Sequence, residues 1–220
     1  MTIRGVIFDL DGVLVSTDEL HYRAWKELAD AEGIPFDREI NHRLRGVSRM
    51  ESLRVILERA TKSYDDAAQA VMAERKNERY RQFLEELSAE DLLPGASEML
   101  DGLRARGVRT AVASASRNAP LILEKLRLTS RLDAWADGND AARSKPDPEV
   151  FLIAAERLGL APKDCVVIED AAAGVEAASR AGMACVAIGS AMNEKNVALS
   201  AMSLRELTCE SMLEILANRA

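Results

Sequence analysis

The chain has 220 residues, 48% hydrophobic and 30% charged, enough for one sizeable domain or two small ones and far from a disordered composition. A formal net charge of -7 argues against a broad nucleic-acid-binding face and against an anionic membrane partner. The cysteines Cys165, Cys185 and Cys209 form no CxxC pair, which fits reduced thiols in a cytoplasmic protein better than a disulfide framework or a zinc site. No segment is long and apolar enough to span a membrane, and the opening MTIRGVIF lacks a secretory signal layout.

The first expected element is a strand over residues 3–8, IRGVIF, short and largely apolar as suits burial on both faces. From there to residue 88 the periodicity is helical. TDELHYRAWKELADAEG opens with Thr17 as an N-cap and closes at Gly33. SRMESLRVILERA sets Ser48 at a cap with Glu51 three residues on, a capping box. DDAAQAVMAERKNERYRQFLEEL reads as a long amphipathic helix burying Ala67, Val71, Met72, Tyr80, Phe83 and Leu84. Pro94-Gly95 then supply turn chemistry. Beyond them helices and strands alternate: EMLDGLRARG, VRTAVAS, APLILEKLRL, LDAWAD, DPEVFLIAAERLG, DCVVIED, AAAGVEAASRAG and MACVAIG. Such alternation implies a parallel sheet between helices. The expected division is a core of residues 1–15 and 89–220 with an inserted helical unit of residues 16–88.

Polar signals gather at the expected strand ends. Asp9 and Asp11 close the first strand just before Gly12, and leaving such carboxylates buried without compensation costs several kcal/mol. Ser114 ends TAVAS, Lys145 follows the third strand, and Glu169-Asp170 end CVVIED. Each has an ordinary reading: a strand-end Asp or Ser114 as a helix cap, Lys145 as a loop lysine, the acidic pair as a complement to a helix dipole. In open parallel sheets, however, ligands bind beyond the carboxyl ends of the strands. Asp9 and Asp170, with oxygens from Glu169 or backbone carbonyls, offer hard ligands for Mg2+. Ser114 and Lys145 offer a hydroxyl and a cation to phosphate oxygens. A carboxylate placed there can act as a nucleophile and form an aspartyl phosphate.

Two further places suit anions. Between Ile40 and Met50 no acidic residue occurs, while Arg43, Arg45 and Arg49 do, and Gly46 and Ser48 make a compact turn at a helix start. The ordinary reading of such a run is a solvated face. SASRN sets Ser116, Arg117 and Asn118 at another helix start. His21 and Trp25 share one helix face; Trp25 fits either a helical core or a substrate wall, and Lys76 either a solvated position or a sugar contact.

DxDG in FDLDGVLV, the serine of VASAS, the lysine of SKPDP and the acidic pair of VIEDA resemble, in order and strand placement, the four signature motifs of the haloacid dehalogenase superfamily. DELHYRAWKEL, RLRGVSRMESL, AERKNERY and VASASRNAP make the chain similar to its hexose-phosphate mutases with helical caps. The resemblance implies an α/β fold with a HAD-type, Rossmann-like parallel sheet core and an inserted α-helical cap domain. It implies an Mg2+-dependent phosphotransferase that interconverts β-D-glucose 1-phosphate and D-glucose 6-phosphate through β-glucose 1,6-bisphosphate. In that scheme Asp9 is the nucleophile, Asp11 the general acid/base, and Ser114 and Lys145 complete the catalytic set. Asp9, Asp11, Glu169 and Asp170 surround the metal. Substrate contacts fall to Thr17, His21, Trp25, Arg45, Gly46, Val47, Ser48, Arg49 and Lys76 in the cap and to Ala115, Ser116, Arg117 and Asn118 in the core. Of these, Arg49, Ser116, Arg117 and Asn118 are assigned to the phosphate not being transferred, while Thr17 is a hinge and His21 helps move Asp11.

The implied partners are the sugar phosphate and its bisphosphate, with no nucleic acid and no membrane, for a cytoplasmic monomer. The chain departs from the family's pattern at Val15, Ser16, Leu20, Arg117 and Gly138. A sugar-phosphate phosphatase is the rival enzyme and needs no second anion cradle. A non-catalytic binding protein would be expected to lose Asp9 or Asp11, and a nucleotide kinase lacks its GxxxxGK[ST] loop here. The Lys145-Pro146 bond is expected to be cis, turning the ammonium inward.

Overall fold

The computed structural model describes residues 3–44 and 47–217. In chain order the elements are β1 (Gly5–Phe8), α1 (Asp18–Glu32), α2 (Arg38–His42), α3 (Arg49–Leu57), α4 (Asp66–Leu84), α5 (Ala96–Ala105) and β2 (Arg109–Ala113). There follow α6 (Ala119–Lys125), β3 (Ala134–Ala136), α7 (Glu149–Arg157), β4 (Cys165–Glu169), α8 (Ala172–Arg180), β5 (Ala184–Ile188), β6 (Leu199–Ala201) and α9 (Cys209–Ala217). The chain divides into two compact units, Met1–Ser16 with Ser88–Ala220, and Thr17–Leu87.

The first unit is built on a six-stranded parallel sheet in the order β3-β2-β1-β4-β5-β6. β1 and β4 are buried along their whole length, which is why their sequences run apolar instead of alternating. The chain steps outward from β1 to β2 and β3, then returns beside β1 as β4 and steps outward the other way. That reversal makes the carboxyl ends of β1 and β4 the switch point of the sheet, where open α/β folds bind ligands. Register fixes who meets there: Phe8 lies opposite both Val112 and Ile168. The residues that come next, Asp9, Ala113 and Glu169, therefore emerge side by side. Beneath them Ile7, Val167, Cys165 and Cys185 pack with Phe151 and Ala154 of α7 and with Val175 and Ala178 of α8.

The second unit packs α1, α3 and α4 around Trp25, Leu28, Ile34, Phe36, Ile40, Leu53, Ile56 and Met72. α1 ends at Gly33 in the left-handed conformation, φ 68°, as a C-terminal glycine should. The Ser48–Glu51 capping box is present at the head of α3.

Several expectations need correction. Val71 is 69% exposed and Ala67 is exposed as well. The inward stripe of α4 is Met72, Ala73, Lys76, Asn77, Tyr80, Phe83 and Leu84. Met72, Tyr80, Phe83 and Leu84 are buried as expected, while Lys76 and Asn77 are polar residues at core-facing positions that apolar periodicity does not mark. Thr17 occupies the N-cap position of α1, but its side chain does not cap; Tyr80 O–H donates to it at 2.9 Å. The first strand begins at Gly5. α2, β6 and α9 were not expected from the pattern; the first two are five and three residues long, too short for any period to register. Arg45 and Gly46 lie outside the described residues.

Leu53 has no exposed surface in the core of the second unit. Leu53→Ala is expected to lower the unfolding free energy by about 2–5 kcal/mol, read as a shift of the urea midpoint at unchanged slope.

Candidate active site

The site at the sheet's carboxyl edge is organised by one ammonium. Lys145 Nζ donates to Asp9 Oδ1 at 2.5 Å, to Glu169 Oε1 at 2.7 Å and to the Ala113 carbonyl at 3.2 Å. These are all the protons an ammonium has. The Phe151 ring centroid lies 4.6 Å away and closes the inner side. Lys145 is 7% exposed. Burial alone would depress its pKa, but Asp9 and Glu169 outweigh burial and hold it above the ordinary lysine range. The Lys145-Pro146 peptide is cis, as the sequence reading expects. Buried and hydrogen-bonded to Asp9, Glu169 and Ala113, Lys145 is not an ordinary loop lysine.

Asp9 follows β1 directly, its N–H donating to the Ile168 carbonyl at 2.9 Å. Its carboxyl is raised from 3.8 to about 7 because burial, with Glu169 and Asp11 adding their charge, outweighs the single lysine. Asp170 is raised to about 8, again chiefly by burial and then by Asp9, Glu169 and Asp11. Glu169 is turned back on the head of α8. Its Oε2 accepts from the N–H groups of Asp170 at 2.7 Å and Ala171 at 2.8 Å. Two glycines make this crowding possible. A Cβ at Gly12, φ 94°, would fall 2.2 Å from Asp170 Oδ2, and one at Gly174 would fall 1.7 Å from Glu169 Oε1. The acidic pair is therefore no simple complement to the helix dipole.

Asp9, Glu169 and Asp170 each bring a carboxylate oxygen within 4.8 Å of the others. With one ammonium among them, the ionised cluster carries uncompensated negative charge. That oxygen-only donor set fits a hard divalent cation. Glu169 already serves Lys145 and the head of α8, so Asp9 and Asp170 are the better donors.

Ser114 is buried beyond β2, its N–H donating to the Ala136 carbonyl at 3.0 Å. Its Oγ accepts from Ser116 N–H at 3.1 Å, and Ser116 Oγ accepts from Asn118 N–H at 3.2 Å. Ser114 is thus not the cap of α6; Asn118 holds that position. Arg117 is exposed and donates Nε to the Gly138 carbonyl at 3.1 Å, while Asn139 Nδ2 donates to the Arg117 carbonyl at 3.0 Å. Arg117 and Gly138, both departures from the family's pattern, thus touch each other and form one feature.

The remaining expected residues belong to the second unit. Arg49, the first residue of α3, pairs with Glu74 at 3.2 Å. Arg43 pairs with Glu58 at 2.8 Å on the surface, as the solvated reading has it. Val47 is exposed, and Ser48 serves the capping box. Lys76 is buried, not solvated, with Nζ 2.7 Å from His21 Nδ1 and 4.8 Å from the Trp25 ring centroid. Trp25 is a core residue, 2% exposed. His21 is held well below the usual imidazole range by burial and then by Lys76 and Arg49. Sequence reasoning missed Gly174, Phe151 and Tyr80 as neighbours of these groups. For Tyr80 a signal existed, since it stands one helical turn after Lys76.

The family model for haloacid dehalogenase-like hydrolases matches residues 3–182. A β-phosphoglucomutase of Bacillus subtilis is 42% identical over 214 residues, 96% of this chain and 95% of its own. A phosphorylated carbohydrates phosphatase of Thermotoga maritima is 31% identical over 97% of this chain and 98% of its own. The crystal structure of a β-phosphoglucomutase from Clostridium difficile superposes with a TM-score of 0.93 at 37% identity, covering 99% of each chain.

The raised carboxyls give a signed pH dependence. Asp9 and Asp170 hold protons in the folded protein up to about 7 and about 8, against 3.8 ordinarily, so stability falls as pH rises through that window. His21 acts oppositely, adding stability as pH rises toward its ordinary 6.5 and levelling off above it. From pH 7 to about 8.5 the carboxyls dominate, and the Tm of the metal-free protein is expected to fall. Mg2+ is expected to raise Tm more at the higher pH, because binding needs ionised ligands. Thermal unfolding with and without Mg2+ at the two pH values checks both.

Proposed function

The chain belongs to the haloacid dehalogenase-like hydrolase family, and on that premise we propose that it interconverts β-D-glucose 1-phosphate and D-glucose 6-phosphate through β-glucose 1,6-bisphosphate. It is an enzyme, a phosphomutase. The observation that carries phosphoryl transfer is the buried Lys145 ammonium bound at once to Asp9 and Glu169. It compensates a carboxylate that must stay anionic beside an incoming phosphate.

In the proposed cycle the phosphate starts on Asp9 as an aspartyl phosphate. Asp11 takes the proton from the sugar 6-hydroxyl as that oxygen attacks phosphorus, and the bond from phosphorus to Asp9 breaks. The resulting bisphosphate turns end for end. Asp9 then attacks the phosphorus at C1, and Asp11 returns its proton to the leaving C1 oxygen, so the protons balance over the cycle. Lys145 and the Ser114 hydroxyl hold oxygens of the phosphate in transfer. Ser116, Arg117 and Asn118 in the first unit, and Arg49 in the second, are each assigned to the other phosphate. Thr17, His21 and Lys76 serve the sugar, and Trp25 packs in the core behind them. Asp9 and Asp170, with Asp11 and Glu169 beside them, would hold Mg2+, which would supply positive charge to the phosphate oxygens. The donor chemistry of the carboxylate cluster supports that assignment. Free thiols at Cys165, Cys185 and Cys209 suit work in the reducing cytoplasm.

A sugar-phosphate phosphatase on the same scaffold is the second reading, favoured by the similarity to the phosphatase of Thermotoga maritima. Incubation with β-D-glucose 1-phosphate, Mg2+ and a trace of β-glucose 1,6-bisphosphate separates the two. A mutase yields glucose 6-phosphate with little free phosphate, and a phosphatase the reverse.

Arg49 sharpens the distinction. If it anchors the distal phosphate, Arg49→Ala should lower kcat/KM for the mutase reaction by about 10²-fold. It should cost far less with acetyl phosphate, which has no second phosphate. Equal losses on both donors would make Arg49 structural. Asp9→Asn is expected to abolish covalent phosphate and turnover together, as checked by intact-protein mass spectrometry after exposure to bisphosphate.

A further inference from the structure

One buried side chain of the second unit touches three of the residues assigned above to the sugar. Tyr80, 1% exposed, donates its hydroxyl to Thr17 Oγ1 at 2.9 Å. Its ring stacks on His21 with centroids 3.9 Å apart and 23° between planes. The Lys76 ammonium lies 4.5 Å from the same ring's centroid. An ordinary core tyrosine needs an apolar pocket and one partner for its hydroxyl. This one spends its hydroxyl and its ring on residues that the proposed reaction uses. We infer that Tyr80 is a positioning residue for the sugar-phosphate reaction, holding Thr17, His21 and Lys76 in one arrangement; the inference rests on the function proposed above.

The helical spacing explains how one side chain reaches all three. Thr17 and His21 stand four residues apart at the head of α1, and Lys76 and Tyr80 stand four apart on α4, so each pair shares a face. The ammonium of Lys76 donates to His21 Nδ1 at 2.7 Å, which leaves the imidazole's own proton on Nε2. His21 is half-buried and faces two cations, Lys76 and Arg49, conditions that keep the ring neutral. Tyr80 sets the plane of that imidazole by stacking. Its π face steadies the ammonium where water is excluded. Its hydroxyl fixes Thr17, the first residue of the unit. The geometry thus presents a neutral imidazole N–H and a lysine in fixed relation, suited to the hydroxyls and phosphate of a sugar phosphate.

The test compares Tyr80→Phe and Tyr80→Leu in the full chain with Mg2+, on β-D-glucose 1-phosphate and on acetyl phosphate. Tyr80→Phe keeps the ring and loses one hydrogen bond, so kcat/KM for the sugar phosphate should fall roughly three- to tenfold. Tyr80→Leu loses the stack and the cation–π contact as well and should cost about a hundredfold, with a far smaller loss on acetyl phosphate. The second readout is the imidazole 15N spectrum of His21. The wild type should show the neutral Nε2–H tautomer, Tyr80→Phe should retain it, and Tyr80→Leu should mix tautomers and titrate nearer the ordinary range. Equal losses on the two donors, or a His21 spectrum unchanged in Tyr80→Leu, would overturn the inference. Should Tyr80→Leu fail to fold, unchanged sugar-phosphate kinetics in Tyr80→Phe would overturn it. If the wild type converts no β-D-glucose 1-phosphate, the proposed function fails, and the His21 spectrum alone decides whether Tyr80 positions its neighbours.

Discussion

The Lys145 ammonium, buried against Asp9, Glu169 and the Ala113 carbonyl, is the interaction on which the rest of the first unit turns. Removing one member of such a group leaves a buried charge uncompensated, a cost of about 3–5 kcal/mol in comparable cases. The fold must therefore bring together residues 136 and 24 positions apart in the chain. It does so by register. With Phe8 opposite Val112 and Ile168, the ends of β1, β2 and β4 are level, and the ammonium needs only to reach across them. Burial, and then the neighbouring carboxylates, raise Asp9 and Asp170, and when ionised they outnumber the one cation. Structure and chemistry are set by one imbalance: more carboxylates than ammoniums.

Most of this edge is legible in the sequence. Asp9, Asp11, Ser114, Glu169 and Asp170 stand where apolar runs stop, Lys145 lies in the loop after the third strand, and the alternation of helices and strands aligns those stops. What the pattern could not reveal was how the groups share their bonds. Glu169 looks equivalent to Asp170 in sequence, yet it faces Lys145 and the head of α8 and depends on Gly174 having no side chain. Such a close approach leaves no trace in periodicity.

The second unit was less legible for a different reason. Its long helix turns Lys76 and Asn77 inward, and a hydrophobic pattern treats inward polar residues as errors. The expected stripe accordingly takes in Ala67 and Val71, and Tyr80 reads as plain core. Local consistency failed where Lys76, His21 and Tyr80 replace apolar packing with a polar cluster, and such failures are expected at functional sites.

The account's central claim is that Asp9, compensated by Lys145, accepts the phosphoryl group. The most direct measurement exposes the protein with Mg2+ to β-glucose 1,6-bisphosphate, quenches it, reduces the acyl phosphate with borohydride and maps the product by peptide mass spectrometry. The account predicts homoserine at position 9 and at no other carboxylate. Covalent phosphate on a different residue, or a sugar product formed with none at position 9, would contradict it.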